Sequence, residues 1–187
     1  MLRKNKQNEW IPWELRRTNP DIFYFREDQQ IPNSPFPLLV YRGFFDKDYA
    51  ACESWLQKKF TANKWFPLPA FKIFDDTHYY SNTHIALGVC AGEAQLQLGG
   101  TLGITTTVEK GDVVILPAGV ALRLIGSGSS FSMVAASSVK VPLEMHREQN
   151  GQAAGSALHN IIPDTDPILG RKEGLQDIWQ PVDTYSR

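Results

Sequence analysis

Two histidines and a tyrosine within seven positions, His78, Tyr80 and His84, offer the most chemistry in this sequence. His78 and Tyr80 are two residues apart, so both side chains lie on one face if the segment is a strand. An imidazole and a phenol on a shared face could act as general base and general acid. With His84 they could instead hold ferric iron through a phenolate. That arrangement requires the phenol to lose a proton whose ordinary pKa is about 10, without a carboxylate to balance the charge.

The elements that position these residues are predicted to be β-strands. From residue 71 onward, short β-rich runs are separated by turn residues at intervals of about ten, which is typical of a β-barrel or sandwich. Segment 94–98 alternates apolar residues with glutamine, and Gly99-Gly100 predicts a hairpin turn before a return strand over 104–108. Val113–Leu116 is apolar on both faces, which predicts burial between the barrel interior and a second layer, for example a second subunit.

One clear helix is predicted before Asn63, with Asp46 as its cap. Its apolar residues recur at helical spacing: Tyr49, Cys52, Trp55, Leu56 and Phe60. We expect this helix on the outer surface of the barrel, with Cys52 packed as a small hydrophobe and Cys90 buried in a strand in the same way. Two cysteines are too few for a disulfide framework, which favours a reducing cytoplasm.

Composition and charge exclude several classes of function. The 187 residues, 42% of them hydrophobic, suffice for one buried core, so one domain is expected. A formal net charge of -1 gives no field that would attract nucleic acid or an anionic membrane. No apolar run approaches the length of a spanning helix, and no secretion leader opens the chain. We therefore predict a soluble cytoplasmic protein without nucleic-acid or membrane partners.

The first twenty residues form an extension before the domain at 21–187. They carry five basic and two acidic side chains, together with Trp10 and Trp13. We interpret this segment as a strap whose tryptophans cover the outside of the barrel, and the alternative is a docking arm for a partner or an anionic surface. Residues 23–25 are predicted to belong to the first strand.

Polar residues after the barrel strands predict loops without catalytic roles. Segment 126–130 is interpreted as a flexible hairpin loop, because it lacks the lysine and the helix of a phosphate-binding loop. Segment 143–160 is interpreted as a solvated loop in which His146, and likewise His159, is a surface histidine. Segment 164–166 is interpreted as a turn that returns the C-terminal segment to the barrel. The expected anchors of that segment are Ile168, Leu169, Leu175, Ile178 and Trp179.

Two sequence patterns with characteristic spacing suggest which chemistry the candidate residues could support. Gly111 is followed after five residues by Pro117-x-Gly119, and two residues later by Leu122. This is similar to the second cupin motif, in which the last position is a metal-binding histidine.

The other pattern begins at His78. After His78-x-Tyr80 come four residues, Ile85, six residues and Gly92. This is similar to the first cupin motif, His-x-His, four residues, Glu, six residues, Gly, with Tyr80 in place of the second histidine and Ile85 in place of the glutamate.

Together with segments 31–35, 37–43 and 163–167, these motifs resemble the YjlB-like group of small single-domain cupins over residues 22–180. The resemblance implies an all-β jelly-roll barrel (a double-stranded β-helix) of six to eight strands, with one or two peripheral helices in this chain. It also implies a frequent homodimer, and metal-dependent members hold one divalent ion on three histidines and one glutamate. Most of the group has no assigned reaction.

Three of the four ligand positions implied by the resemblance are altered here. Ile85 and Leu122 have no lone pairs, and an ion held by His78 alone would bind weakly. We therefore predict no cofactor, and an apolar pocket where His78, Tyr80, Ile85 and Leu122 converge. His84 is included as a candidate, although strand alternation points it away from Ile85.

Three functional classes stay open. We favour a module that binds a small, largely apolar molecule or is purely structural, having lost metal chemistry. The first alternative is a metal-independent isomerase or epimerase with His78 as base and Tyr80 as acid. The second is a metal-dependent oxygenase or isomerase with an atypical site at His78, Tyr80 and His84. We also predict a homodimer.

Overall fold

The computed structural model describes residues 19–28, 30–46, 48–147 and 158–181. Trp10 and Trp13, and with them both interpretations of the extension, lie outside the described residues. In the part that is described, no helix is long and apolar enough to cross a membrane.

Two antiparallel sheets form the body of the protein, with one long and one short helix, which confirms the all-β jelly-roll class. The elements in chain order are β1 (Asp21–Phe23), β2 (Leu38–Tyr41), α1 (Tyr49–Ala62), β3 (Phe66–Pro67), β4 (His78–Tyr80), β5 (Ile85–Ala91), β6 (Glu93–Leu98), β7 (Ile104–Glu109), β8 (Val113–Leu116), β9 (Leu122–Ser127), β10 (Ser132–Ser137), β11 (Met145–Arg147) and α2 (Leu175–Ile178). The six-stranded sheet has the order β1-β2-β8-β5-β10-β3, and the five-stranded sheet has the order β11-β4-β9-β6-β7.

The predicted hairpin of β6 and β7 is confirmed. The strands pair from Glu93 with Glu109 to Leu98 with Ile104, one residue longer than expected. Gly99 and Gly100 have φ angles of 82° and 81°, a left-handed conformation that favours glycine and lets the chain reverse there.

Apolar side chains form two large clusters, one on each face of the six-stranded sheet. The inner cluster draws on strands of both sheets: Leu38, Val40, Ile73, Tyr80, Ile85, Leu87, Val89, Ala94, Leu96, Leu98, Val108, Val114, Leu116, Val120, Leu122 and Ala135. The outer cluster combines this sheet with the helices and the C-terminal segment: Phe36, Leu39, Tyr41, Phe44, Phe45, Cys52, Leu56, Phe60, Trp65, Ala86, Cys90, Val113, Ile115, Val134, Ala136, Ile168, Leu175 and Trp179.

Strand β8 shows how the two clusters are divided. Val114 and Leu116 belong to the inner cluster, whereas Val113 and Ile115 belong to the outer cluster. The strand is thus buried on both faces, as predicted, but its second layer is this chain's own helix α1 and C-terminal segment. The observation that suggested a second subunit is explained without one, and the homodimer stays a prediction.

Helix α1 packs closely on strand β5. Its Cys52, Leu56 and Phe60 are fully buried, as predicted. A Cβ atom added to Gly88 would lie 2.5 Å from Leu56 Cδ1, so the glycine allows this approach. The predicted cap was wrong: Asp48, without a side-chain cap bond, precedes the helix, and Asp46 lies 3.8 Å from Lys110 Nζ.

A disulfide joins Cys52 of α1 to Cys90 of β5. Both cysteines are fully buried, as expected, but their interpretation as separate small hydrophobes was wrong. Helix packing brings together two residues that are 38 positions apart, a proximity that counting cysteines does not detect. Cysteine content therefore no longer supports the predicted cytoplasmic location.

Three further predictions are corrected by the strand pairing. The strands on either side of 128–131 belong to different sheets, so this turn crosses between sheets and closes no hairpin. The first strand is Asp21–Phe23, and Tyr24 beyond it is exposed. Segment 143–160 is not all loop, since Met145–Arg147 pairs with β4.

The C-terminal segment is anchored by one buried carboxylate, that of Asp166. Its Oδ1 accepts hydrogen bonds from the backbone N–H groups of Ile168 and Leu169, at 2.8 and 2.9 Å. Its Oδ2 accepts from the Leu175 N–H at 3.0 Å and from the Tyr41 hydroxyl at 2.7 Å. The predicted return of this segment to the barrel is confirmed, and Asp166 fastens it to strand β2.

Candidate functional site

His78 lies on β4 with its ring fully buried. It is the register partner of Leu122 on β9, and residues opposite each other on paired strands share a face. Two aromatic rings lie roughly perpendicular to the His78 ring, Phe74 with centroids 5.3 Å apart and Tyr80 with centroids 5.8 Å apart. The imidazole therefore stands in a largely aromatic and aliphatic surrounding.

The hydrogen bonding of His78 is one-sided. Its Nδ1 lies 2.9 Å from the backbone oxygen of Asp76. A carbonyl oxygen only accepts, so Nδ1 carries the proton, and Nε2 of the neutral ring is an unprotonated acceptor. Within the described part of the chain this Nε2 is buried and has no hydrogen-bond partner. Burial lowers the pKa of His78 to about 4, so the ring is neutral at pH 7.

Three further candidate residues, Tyr80, Ile85 and Leu122, belong to the inner cluster, and the last two are fully buried. Tyr80 also packs against Phe71, with ring centroids 5.5 Å apart, and burial raises its pKa to about 12. An isoleucine, a leucine and a protonated phenol thus lie on the inner side of the barrel, the side that Leu122 shares with His78.

His84 lies elsewhere. Its ring packs against Phe36 and Trp179 of the outer cluster, with centroids 5.9 and 4.8 Å apart. Nδ1 accepts a hydrogen bond from the Ala118 N–H at 2.9 Å, and Nε2 donates to the Ile161 oxygen at 3.0 Å. Because Ile85 faces inward, the preceding residue faces outward. The structure therefore does not bring His84 together with His78 and Tyr80, either as a pocket residue or as a third metal ligand.

The comparisons with known proteins follow this geometry. No family model matches the chain. A protein of Bacillus subtilis (strain 168), named "Uncharacterized protein YjlB", is 32% identical over 161 residues, which are 84% of this chain and 94% of that protein. The chain belongs to the YjlB family. The relative's name states no reaction.

One solved structure similar to this YjlB-family chain is procruciferin, an 11S globulin from Brassica napus. The TM-score is 0.35 at 17% identity, over 38% of this chain and 19% of that protein. This likeness is too low to support an argument about fold or function.

The side-chain contacts that cover His78 in this YjlB-family protein could not be predicted from its sequence. Arg147 of β11 forms an ion pair with Asp76, and its guanidinium carbon lies 5.0 Å from the centroid of the Phe74 ring. The same Asp76 holds the His78 ring through its backbone oxygen, and Phe74 contacts the ring edge. Arg147 therefore fastens the segment that positions His78. The sequence signal was absent because β11 is short and polar.

The two remaining histidines, His146 and His159, make more contacts than the predicted surface histidines would. His146 stacks on Tyr79 with centroids 5.0 Å apart, and its Nε2 lies 2.9 Å from Ser81 Oγ, which also donates to Glu144 at 3.2 Å. His159 packs against His84 with centroids 5.1 Å apart, and burial lowers its pKa. These contacts fasten β11 and the C-terminal segment. Among the described residues, no group of three His, Cys, Asp or Glu side chains could hold a metal ion.

Proposed function

We propose that this YjlB-family protein is a metal-free cupin that binds a small, largely apolar molecule inside the barrel, beside His78, Tyr80, Ile85 and Leu122. The observation that carries this proposal is the buried Nε2 of His78, which has no partner in the described part of the chain. An unsatisfied buried polar atom costs about 1–3 kcal/mol. A bound molecule that supplies a hydrogen bond there would recover this cost, and the apolar neighbours would contact the rest of the molecule.

The side chains at the altered motif positions support a metal-free site. Ile85 and Leu122 offer no lone pairs, and the raised pKa of Tyr80 opposes formation of a phenolate. The single free nitrogen of His78 is one ligand, whereas zinc sites use three or four protein ligands. A divalent ion in this barrel would therefore keep most of its water and bind weakly.

The protonation states of His78 and Tyr80 favour binding over acid–base catalysis. A general base works best when its pKa is near the working pH. With a pKa of about 4, His78 is unprotonated at pH 7 but is a weak base, and Tyr80 with a pKa of about 12 is a weak acid. His78 and Tyr80 thus have the protonation states that an isomerase would need, an unprotonated base and a protonated acid. Because these pKa values leave little driving force for proton transfer, we rank isomerase activity second.

Metal analysis of protein purified without a chelator tests the metal-free part of the proposal. We expect no stoichiometric iron, manganese, nickel or zinc. As a positive control, the combined variant Tyr80→His, Ile85→Glu and Leu122→His restores four ligands and should gain one divalent ion if the barrel accepts it. About one ion per wild-type chain, lost in His78→Ala, would refute the proposal.

Binding is tested by NMR of the ¹⁵N-labelled His78 ring with small aromatic probes. We expect a probe to shift the Nε2 resonance in the wild type. If no probe perturbs this resonance in the wild type, the barrel interior is purely structural and the binding function is wrong.

A further inference from the structure

The hydrogen-bond polarity of His78 restricts what it can bind. The Asp76 backbone oxygen occupies Nδ1–H at 2.9 Å, and a neutral imidazole has only one N–H. The free nitrogen therefore presents a lone pair to the barrel interior. A guest that offers only acceptors, such as an ether or ketone, would leave this lone pair unpaired and would place two acceptors side by side.

Charge restricts the guest further. The Phe74 and Tyr80 rings pack against the His78 ring, and Leu122 lies opposite on the paired strand. None of these three carries a charge, and the charged side chains of Asp76 and Arg147 beside them are paired with each other. A carboxylate would be repelled by the lone pair and an ammonium would lose its hydration, so a charged guest is strongly disfavoured.

We infer that the ligand of this site is a neutral hydrogen-bond donor on an apolar, preferably aromatic, body, of the phenol or aryl alcohol class, and that its hydroxyl donates to Nε2 of His78. Aromatic character follows from the neighbouring rings: Phe74 and Tyr80 pack against His78, Phe71 packs against Tyr80, and a further ring packs favourably among aromatic rings. This inference rests on the proposed function, because it specifies the guest of that same site.

Phenol, anisole and benzoate separate the requirement for a hydrogen-bond donor from the requirement for a neutral guest. All three contain a benzene ring, but only phenol has a donor and only benzoate is charged. Their affinities are measured at pH 7 by titration of the labelled His78 ring, in the wild type and in Leu122→Ala. The second protein has an enlarged interior, and an apolar cavity made in this way in another protein accepts benzene. His78→Phe keeps an aromatic ring but removes the acceptor, and Tyr80→Phe removes the other polar group near the site.

We expect phenol to bind at least about fivefold more tightly than anisole, the effect of one net hydrogen bond, and benzoate to bind more weakly than either. Probe binding to His78→Phe is followed by a ¹³C-labelled methyl group of Leu122, and the preference for phenol should disappear there while anisole binding is unchanged. Tyr80→Phe should keep the preference.

Two results would overturn the inference while leaving the binding function intact. The first is equal affinity for phenol and anisole, or tighter binding of benzoate. The second is loss of the phenol preference in Tyr80→Phe alone, which would assign the hydrogen bond to Tyr80. If none of the three probes binds the wild type, the proposed function itself fails, and this inference fails with it.

Discussion

His78 and His84 lie six positions apart, both fully buried, and yet they differ in hydrogen bonding. His84 uses both ring nitrogens, with the Ala118 N–H and the Ile161 oxygen as partners. His78 uses only Nδ1, and its Nε2 has no partner among the described residues. Burial is therefore the same for the two histidines, and the completeness of their hydrogen bonds is what distinguishes them.

The two faces of the six-stranded sheet show the same contrast. On the outer face the polar groups are paired: Asp166 accepts four hydrogen bonds, and the Trp65 and Trp179 ring N–H groups donate to backbone oxygens. The disulfide also lies on this side. On the inner face the cluster is apolar, and His78 faces into it. The outer face is thus held by paired polar groups and a disulfide, whereas on the inner face Nε2 of His78 has no partner among the described residues.

The largest effect is expected from the outer face. Reduction of the disulfide, or Cys52→Ala with Cys90→Ala, should lower the free energy of unfolding by about 4 kcal/mol, because the bridge closes a loop of 38 residues in the unfolded chain. Urea unfolding with and without reductant measures this. The double variant should not respond to reductant. Two freely titrating thiols in the native wild type, with no effect of reductant, would contradict the assignment.

His84→Phe should destabilise the protein by about 2 kcal/mol. The phenyl ring fills a similar volume but leaves the buried Ala118 N–H without a partner, and an unsatisfied buried group costs about 1–3 kcal/mol. The Ile161 oxygen also loses its partner, but Ile161 is exposed, so water can replace that bond. Urea unfolding at pH 7 gives the value. A loss below about 1 kcal/mol would show that these bonds are replaced by water.

The smallest effect is expected from His78→Phe, which should lower stability by only about 1 kcal/mol at pH 7. It removes Nε2, which is already unpaired, and one hydrogen bond, from Nδ1–H to the oxygen of the half-buried Asp76. The pH dependence should change more. The pKa of His78 is about 4 when folded and ordinarily 6.5, so the unfolded chain binds the extra proton, and stability falls as the pH drops from 6.5 towards 4. His78→Phe should make this fall shallower, and urea unfolding at a series of pH values tests it. A loss at pH 7 equal to that of His84→Phe would erase the contrast between the two histidines.

The sequence predicts those features that depend on local periodicity. The hairpin of β6 and β7, the two-sided burial of β8 and the inward position of Leu122 follow from alternation and motif spacing. The sequence does not predict which element packs against a buried face, because periodicity shows only which face of a strand or helix is buried. For this reason α1 was not foreseen as the second layer of β8.

Two features of the site, strand β11 and the hydrogen bond of His78, could not be predicted for the same reason. Strand β11 carries no apolar alternation, and its pairing with β4 spans more than sixty positions of sequence. The bond from His78 to the Asp76 oxygen involves a backbone group, to which residue type gives no clue. Candidate residues could therefore be found from the sequence, but the free nitrogen of His78 required the fold.

The pairing of β4 with β9 has a consequence for how a molecule reaches a site whose side chains are almost fully buried. The register pair His78 and Leu122 is flanked on both sides by backbone hydrogen bonds, from the Gly119 N–H to the Tyr80 oxygen at 2.8 Å and from the Leu124 N–H to the Phe74 oxygen at 2.7 Å. A guest that enters here must wait until these bonds open by local unfolding, and native proteins sample such openings. Guest exchange at His78 would then be slow, because its rate would be the rate of this opening.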